Sequence, residues 1–349
     1  MNHTERSTVG IIVNPHAGKD IRRLVSAAGH TSDSVKIGIM RRVAAGALEQ
    51  GVERIMLSAD THRLGERAVE GLAGDIELIE SPQTGSHLDT VAAARALHQH
   101  GAGAVIVLGG DGTARDVATG WPDAPLIALS TGTNNVYPST TDGTSAGVAA
   151  ALVATGTVAL ASVGHQSKRV VLDIADTASG RTHHDHALVE AALIDTTFVG
   201  ARAVSDPASI RWVMACIANP ASTGLASIAG RLHPVGRNDA GGVLLHLGPA
   251  GRKIRVPLAP GEFTTLGVCE VISLDEGMPV ALPGGGVLAY DGERTSPVGP
   301  DTTITAAITR SGPRLIDVDA ALALAAREHR FDAPTNSRCE HARKDPHGH

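Results

Sequence analysis

The residues in this 349-residue chain that could best support a chemical reaction are Gly-Gly-Asp-Gly-Thr at positions 109–113, directly after the apolar run 104–108. An uninterrupted apolar run of that length is typical of a strand buried on both faces of a parallel sheet. Glycines at its end let the backbone approach a ligand, and the helix-like residues 114–118 would point free N–H groups into the same crevice. Such a crevice suits a phosphate group. The carboxylate of Asp111 would then either hold a metal ion or take a proton.

Two more strand ends carry small polar side chains. An Asn-Pro-His-Ala-Gly turn at positions 14–18 follows the apolar run 9–13, and Ser-Thr-Gly-Thr-Asn-Asn at 130–135 follows the run 125–129. Lys19 after the first turn does not complete a Walker A loop, because the upstream glycine and the following Ser or Thr are missing. Ligands of doubly wound sheets bind at the carboxyl ends of the strands. The loops after these strands are therefore predicted to share one crevice.

The elements that must position these loops alternate between strand and helix along the first part of the chain. This alternation predicts an α/β fold with a doubly wound parallel sheet. The predicted strands cover 9–13, 54–58, 76–79, 104–108 and 125–129, and the predicted helices cover 21–28, 35–50, 62–72, 86–100, 114–118 and 143–155.

Beyond residue 157 the sequence changes to short alternating runs separated by turn residues, which predicts a β-rich second domain. Two stretches inside it, 208–214 and 223–232, are predicted to be helical, and a terminal helix is predicted at 318–329. Whether the last strands and this helix pack back on the first domain is left open. The predicted division is an α/β nucleotide-binding domain at 1–157, a β-rich acceptor-binding domain at 158–330 and a disordered tail at 331–349.

Bulk composition excludes several function classes. The formal net charge of −6 argues against non-specific nucleic-acid binding, which needs a basic face. The cysteines Cys216, Cys269 and Cys339 form no CxxC pair, which is typical of reduced thiols inside the cell. The polar N-terminus lacks the features of a signal peptide, and no run approaches the ~20 apolar residues that a membrane span needs. A cytoplasmic protein without a membrane span is expected.

The Gly-Gly-Asp-Gly-Thr motif at a strand end resembles the signature of the superfamily that contains NAD kinases and diacylglycerol-type lipid kinases. The turn at 14–18 is similar to the opening motif of that superfamily. The chain as a whole, and the sequence at 130–135 in particular, resembles the ATP-NAD kinase-like branch called the acetoin catabolism protein X family. The resemblance implies an NAD kinase-like fold and phosphoryl transfer from ATP with Mg²⁺.

In that framework Asp111 is predicted to act as general base on the acceptor hydroxyl, or to hold Mg²⁺ through water, with no direct metal ligand assigned. The glycines would wrap the phosphates, and the Thr113 hydroxyl would donate to them. The residues predicted to bind the nucleotide and its phosphates are Asn14, Gly109, Gly110, Gly112, Thr113, Thr131, Gly132 and Thr133.

The acceptor side departs from the family patterns at several positions. Asn135 stands where the lipid kinases have Asp, and Val189 stands where NAD kinases have the Asn of an Asn-Glu pair that contacts the acceptor ribose. The Asp-Gly pair at 291–292 matches the superfamily, and Glu293 continues it as in the lipid kinases. The residues predicted to bind the acceptor are Asn134, Asn135, Glu190 and Asp291.

The His-His-Asp-His run at 183–186 has metal-ligand residue types. Successive side chains of a strand point to opposite faces, so only alternate members of the run converge. The rim of a hairpin is therefore favoured over a metal site.

The function predicted from these residues and this resemblance is transfer of a phosphate from ATP, or from polyphosphate, to the 2′-hydroxyl of NAD. Two alternatives stay open. One is a kinase of another alcohol, either a lipid or a small metabolite, and the other is a nucleotide-binding accessory protein of acetoin catabolism without turnover. The expected partners are nucleotides and small-molecule substrates, with self-association into a homo-oligomer.

Overall fold

A computed structural model describes residues 6–18, 31–132, 135–176, 179–195, 207–291 and 294–332. Its N-terminal part contains a seven-stranded sheet in the order β3-β2-β1-β4-β5-β17-β6, in which β6 alone runs antiparallel to its neighbour. The strands are β1 (Thr8–Val13), β2 (Arg54–Ser58), β3 (Ile76–Ile79), β4 (Ala104–Gly109), β5 (Pro125–Ser130), β6 (Gly164–Gln166) and β17 (Arg314–Ile316).

Helices cover both faces of this sheet, as a doubly wound fold requires. Alternate residues of β4 enter different cores, because Ile106 joins one cluster and Val107 the other. Helices α1, α2, α5 and α8 pack on the first face, and α3 and α4 on the second. The helices are α1 (Asp33–Glu49), α2 (Leu64–Val69), α3 (His87–Gln99), α4 (Asp111–Gly120), α5 (Gly143–Ala154), α6 (Leu160–Val163), α7 (Leu225–Gly230) and α8 (Val318–Arg327).

The rest of the described chain is β-rich, so the predicted fold class is confirmed. A six-stranded antiparallel sheet has the order β12-β11-β10-β9-β14-β15, and a four-stranded sheet has the order β13-β16-β7-β8. Their strands are β7 (Arg169–Asp176), β8 (Arg181–Ala187), β9 (Glu190–Ile194), β10 (Ile210–Ala215), β11 (Gly242–Ala259), β12 (Glu262–Leu274), β13 (Val280–Pro283), β14 (Gly286–Tyr290), β15 (Arg294–Val298) and β16 (Thr302–Thr309).

The helix predicted at 208–214 is wrong. The chain makes a short 3₁₀ turn at Pro207–Ser209 and then forms strand β10 between β9 and β11. Trp212, Val213 and Met214 are all buried, because both faces of this central strand are covered. A continuous apolar run does not distinguish a buried strand from a buried helix by its periodicity, and the neighbouring strands decided the outcome.

The other helical stretch of the β-rich part is confirmed in shortened form as α7. The predicted helix at 21–28 lies outside the described residues, as does most of the predicted tail. Strand β17 pairs with β5, and Ala321 and Ala325 of α8 are buried in the core of the first sheet. The division of the chain at residue 157 stays a prediction. Within the ranges that the structure describes, no helix is long and apolar enough to cross a membrane.

Candidate active site

The candidate site lies where the strand order of the first sheet reverses. The chain builds β2 and β3 on one side of β1 and then returns to β4 on the other side. Ligands of open α/β sheets bind at the carboxyl ends of the strands at such a switch point. A cleft of about 330 Å³ opens here, lined among others by Asn14, Asp60, Gly112, Arg115 and Asp116.

The loop that follows β4 is closed by hydrogen bonds to Thr113. The Oγ1 atom of Thr113 accepts from the Nδ2 of Asn14 at 3.0 Å and from the backbone N–H of Gly110 at 3.4 Å. Both bonds use the oxygen as acceptor, so the hydroxyl proton can be donated to a ligand. Gly110 is the N-cap residue of α4, so the first N–H groups of this helix are those of Asp111 and Gly112. The arrangement matches the chemistry of phosphate binding at a helix N-terminus.

The sequence-based prediction that this loop binds the phosphates of ATP is tested by the Gly109→Ala variant, which is then expected to lose at least about tenfold in ATP affinity, or about 1.4 kcal/mol, because the loop is displaced. A Cβ atom at Gly109 would lie 2.4 to 2.6 Å from side-chain atoms of the buried Thr113 and would displace them. Calorimetric titration with ATP measures the loss. Gly38→Ala is the control, because a Cβ atom at this α1 position meets only the end of the Arg42 side chain, at 3.6 Å. Equal affinities of both variants would contradict a phosphate-binding role for this loop.

Asp111 is held by residues 136–137 of the loop after β5, a contact that the sequence analysis did not predict. Its carboxylate accepts from the backbone N–H of Val136 at 3.0 Å and of Tyr137 at 2.7 Å, and the residue is only 8% exposed. Tyr137 is in turn fixed by its hydroxyl, which donates to the Oγ of Ser167 at 2.9 Å. The orientation of the carboxylate therefore depends on the position of residues 136–137.

The loop after β5 packs against the other two loops. Gly18 adopts a left-handed φ of 72°, and a Cβ atom there would lie 2.4 Å from the carbonyl oxygen of Thr131. The buried Oγ1 of Thr131 has no hydrogen-bond partner among the described residues. Asn135 donates from Nδ2 to the Oγ of Ser130 at 2.7 Å, so its amide holds the loop together. Thr133 and Asn134 lie outside the described residues.

Two of the predicted acceptor-binding residues, Glu190 and Asp291, lie together on the β-rich side. The Asp291 carboxylate accepts from the backbone N–H of Leu188 at 2.9 Å and of Val189 at 2.8 Å. Burial raises the pKa of Asp291 to about 6, although these hydrogen bonds and the nearby Arg115 lower it. Burial also raises the pKa of Glu190, and the charges of Asp291 and Asp111 raise it further. Three acidic groups are therefore close enough to interact, while Glu293 lies outside the described residues.

The Glu190→Gln variant is expected to be more stable than the wild type at neutral pH. The folded protein keeps a proton on Glu190 after the unfolded chain has lost it near the ordinary pKa of 4.5, so stability falls as the pH rises above that value. One such retained proton lowers the free energy of unfolding by up to about 1.4 kcal/mol per pH unit. Glutamine removes this titration, and the gain should shrink toward about pH 4, where both states are protonated.

Urea unfolding at a series of pH values measures this effect. Glu270→Gln is the control, because Glu270 is an exposed carboxylate on β12. The control should follow the wild-type pH profile. Parallel profiles for the wild type and Glu190→Gln would show that Glu190 does not carry the titration.

Sequence reasoning missed two buried cations at this site. Lys36 on α1 donates from Nζ to the carbonyl oxygens of Asn14 at 3.0 Å and Pro15 at 2.8 Å, which fixes the first turn. Arg115 on α4 donates to the Asp185 carboxylate and to the His186 carbonyl, and its guanidinium lies 5.1 Å from the centre of the Tyr290 ring. No local sequence pattern indicated that either residue is buried, because a charged side chain within a helix is normally exposed to solvent.

The histidine run lies on β8, which pairs with β7 in an antiparallel hairpin. His184 contacts Asp173 across the hairpin, with 2.6 Å between Nδ1 and Oδ1. Asp185 points instead to Arg115. Within the part of the chain that the structure describes, no group of three or more His, Cys, Asp or Glu side chains converges as a metal site would.

Comparison with known proteins gives two family matches. The family model described as ATP-NAD kinase N-terminal domain matches residues 9–158, and the model described as acetoin catabolism protein X C-terminal domain matches residues 170–311. The acetoin catabolism protein X of Cupriavidus necator is 36% identical over 334 residues, which cover 92% of this chain and 93% of that protein.

Solved structures give the fold. The crystal structure of yeast NADH kinase complexed with NADH superposes with a TM-score of 0.55 at 13% identity, covering 95% of this chain and 90% of that one. At this identity the likeness shows a shared fold, that of an NAD kinase. The match to a diacylglycerol kinase from Bacillus anthracis covers 90% of this chain and 98% of that one, at 12% identity and a TM-score of 0.36.

Proposed function

The chain belongs to the acetoin catabolism protein X family, and from this premise we propose that it is an NAD kinase-like phosphotransferase. It would move a phosphate from ATP, or from polyphosphate, to the 2′-hydroxyl of NAD. The observation that carries the proposal is the buried Asp111 at the first turn of α4, beside a cleft at the switch point of an NAD kinase fold. The relative of known structure, which is named as an NADH kinase, supports a nicotinamide dinucleotide as acceptor.

The donor phosphates would lie against the loops that follow β1, β4 and β5. Backbone N–H groups at the start of α4 and the Thr113 hydroxyl would donate to the phosphates, and the bond from Asn14 to Thr113 supports this by leaving the hydroxyl proton available. Phosphoryl transfer depends mostly on in-line positioning and on neutralising charge, which such pre-oriented donors supply. The buried hydroxyl of Thr131, which has no hydrogen-bond partner among the described residues, would supply one further donor.

The acceptor hydroxyl would meet Asp111 from the β-rich side. There Asp291 fixes the backbone of residues 188–190. The Oε2 atom of Glu190 is buried and has no hydrogen-bond partner among the described residues. A buried carboxyl group of this kind would be satisfied by a hydroxyl of the acceptor. Asp111 would take the proton as the acceptor oxygen attacks the terminal phosphorus, while the bond from that phosphorus to the bridging oxygen breaks and ADP leaves.

Magnesium is implied by this chemistry, and the available donors fit it. Mg²⁺ keeps several waters and is held by one or two carboxylates together with substrate phosphates. Asp116 lines the cleft, and Asp111 directly precedes the lining residue Gly112. Among the described residues no three or more His, Cys, Asp or Glu side chains form a protein cage. Asp111, through water, and Asp116 would hold the ion, which when bound neutralises phosphate charge.

The test is a coupled assay with purified protein, ATP, Mg²⁺ and NAD, in which an NADP-specific dehydrogenase reports the NADP formed. NADP formation that requires both ATP and Mg²⁺ is expected. Absence of NADP with ATP bound in calorimetry would contradict NAD as acceptor, and a screen of polyols and lipids would then identify a different alcohol.

A nucleotide-binding accessory protein without turnover is the second candidate. The observation that favours it is the set of hydrogen bonds from Val136 and Tyr137 to both oxygens of Asp111, because such bonds stabilise the ionised carboxylate and weaken it as a base. Such a protein would bind ATP and transfer phosphate to no acceptor in the screen.

A further inference from the structure

A loop of the β-rich part reaches across to the residues that hold Asp111. Arg237 in this loop donates from Nη2 to the carbonyl oxygen of Val136. The carbon atom of its guanidinium group lies 5.6 Å from the centre of the Tyr137 ring, within the range of a cation–π contact. One side chain therefore contacts both residues whose N–H groups bind the Asp111 carboxylate.

The loop that carries Arg237 is itself held by hydrogen bonds from two other basic residues. The fully buried Lys168 donates from Nζ to the carbonyl oxygens of Gly236 at 2.9 Å and Gly241 at 3.0 Å. Arg310 donates to the carbonyls of Asn238 at 3.0 Å and Asp239 at 2.9 Å. Burying an ammonium group costs free energy unless it is hydrogen-bonded, so Lys168 holds the two ends of residues 236–241 firmly.

Arg237 contacts the residues that hold Asp111 rather than the loops predicted to bind phosphate. Its hydrogen bond goes to Val136 and its ring contact to Tyr137. Burial lowers the pKa of the Arg237 guanidinium. Tyr137 and Asp111 oppose that shift, because their charges attract the charged guanidinium. A direct role in holding the donor phosphates is therefore not needed to explain its position.

We propose that Arg237 is a positioning residue, which holds residues 136–137 where their N–H groups orient the Asp111 carboxylate for proton transfer. This inference rests on the proposed function, since it takes Asp111 as the general base. The β-rich part would thereby also fix the orientation of a residue that belongs to the first sheet. Losing the contact would let the carboxylate turn away from the acceptor without removing any group that touches ATP.

The test compares Arg237→Ala and Arg237→Lys with the wild type. For Arg237→Ala, kcat is expected to fall by about 10- to 100-fold, because a displacement of about 1 Å at a reacting group costs that much. KM for ATP should stay within about twofold, since binding of the donor is unchanged. Arg237→Lys should recover part of kcat, because a lysine can still donate to the Val136 carbonyl.

Hydrogen exchange gives a readout that does not depend on turnover. The amides of Val136 and Tyr137 should exchange at least about tenfold faster in Arg237→Ala, since their local opening becomes easier. Arg231→Ala is the control. Arg231 is an exposed arginine at the end of α7, with its guanidinium 5.8 Å from the centre of the Phe263 ring, and its loss should change neither readout.

Two results for Arg237→Ala would each overturn the proposal: unchanged amide exchange at residues 136–137, or an unchanged kcat. A rise in KM for ATP that matches the fall in kcat would overturn it as well. If Arg237→Ala does not fold, Arg237→Met replaces it, because the methionine keeps the packing on Tyr137 without the donor. If the wild type phosphorylates no acceptor, the proposed function fails, and the exchange rates alone decide whether Arg237 positions the loop.

Discussion

The Asp111→Asn variant is expected to lose about 10²- to 10⁴-fold in the rate of phosphate transfer, the contribution of a positioned general base. An amide cannot take the proton of the acceptor hydroxyl. Its Oδ1 can still accept from the N–H groups of Val136 and Tyr137, which both donate to Oδ1 of Asp111, so the loop after β5 should keep its position. The coupled NADP assay measures the loss, and calorimetry with ATP checks that donor binding survives.

The matched control for this change is Asp317→Asn. Asp317 is the N-cap residue of α8 and accepts from the backbone N–H of Ala320 at 2.9 Å, so it is also a carboxylate bonded to a backbone amide, and it does not line the cleft. Asparagine caps a helix about as well as aspartate, and the rate should not change. Turnover of Asp111→Asn within about tenfold of the wild type would mean that Asp111 is not the base.

The Arg115→Met variant is expected to lower the free energy of unfolding by about 3 to 5 kcal/mol, the cost of leaving one member of a buried ion pair alone. The side chain of Arg115 is 1% exposed and that of Asp185 is 6% exposed. Removing the guanidinium would strand the Asp185 carboxylate between α4 and β8 and would also take away the contact with the Tyr290 ring. Urea unfolding measures the change through the midpoint and slope.

Two further variants show whether the stranded charge is the cause. Adding Asp185→Asn to Arg115→Met should restore part of the loss, because the asparagine is neutral and can still accept from the N–H of His186. Arg42→Met breaks an ion pair with Asp142 in which both side chains are about half exposed, at 3.3 Å, and should cost less than about 1 kcal/mol. Equal losses from Arg115→Met and Arg42→Met would exclude a special role for burial.

Local patterns predicted the fold class and the chain positions of the loops around the cleft. The buried runs of β1, β4 and β5 are continuous apolar segments, and glycine or small polar residues follow each of them. Parallel strands place their carboxyl ends at one edge, so the loops after these strands had to come close together. The same kind of reasoning failed at β10, where a short apolar run is compatible with both helix and strand and only the neighbouring strands distinguish them.

The sequence by itself determined where glycines, the Asp111 carboxylate and the ends of the strands fall, because these depend on residues adjacent along the chain. Only the tertiary structure decided which groups hold that carboxylate and which buried charges pair. Asp111 binds amides 25 and 26 residues away, Arg115 binds an aspartate 70 residues away, and Arg237 reaches a carbonyl 101 residues away. A buried charge takes whichever partner the packing brings within hydrogen-bond distance, and no pattern of neighbouring residues encodes a distance across the fold.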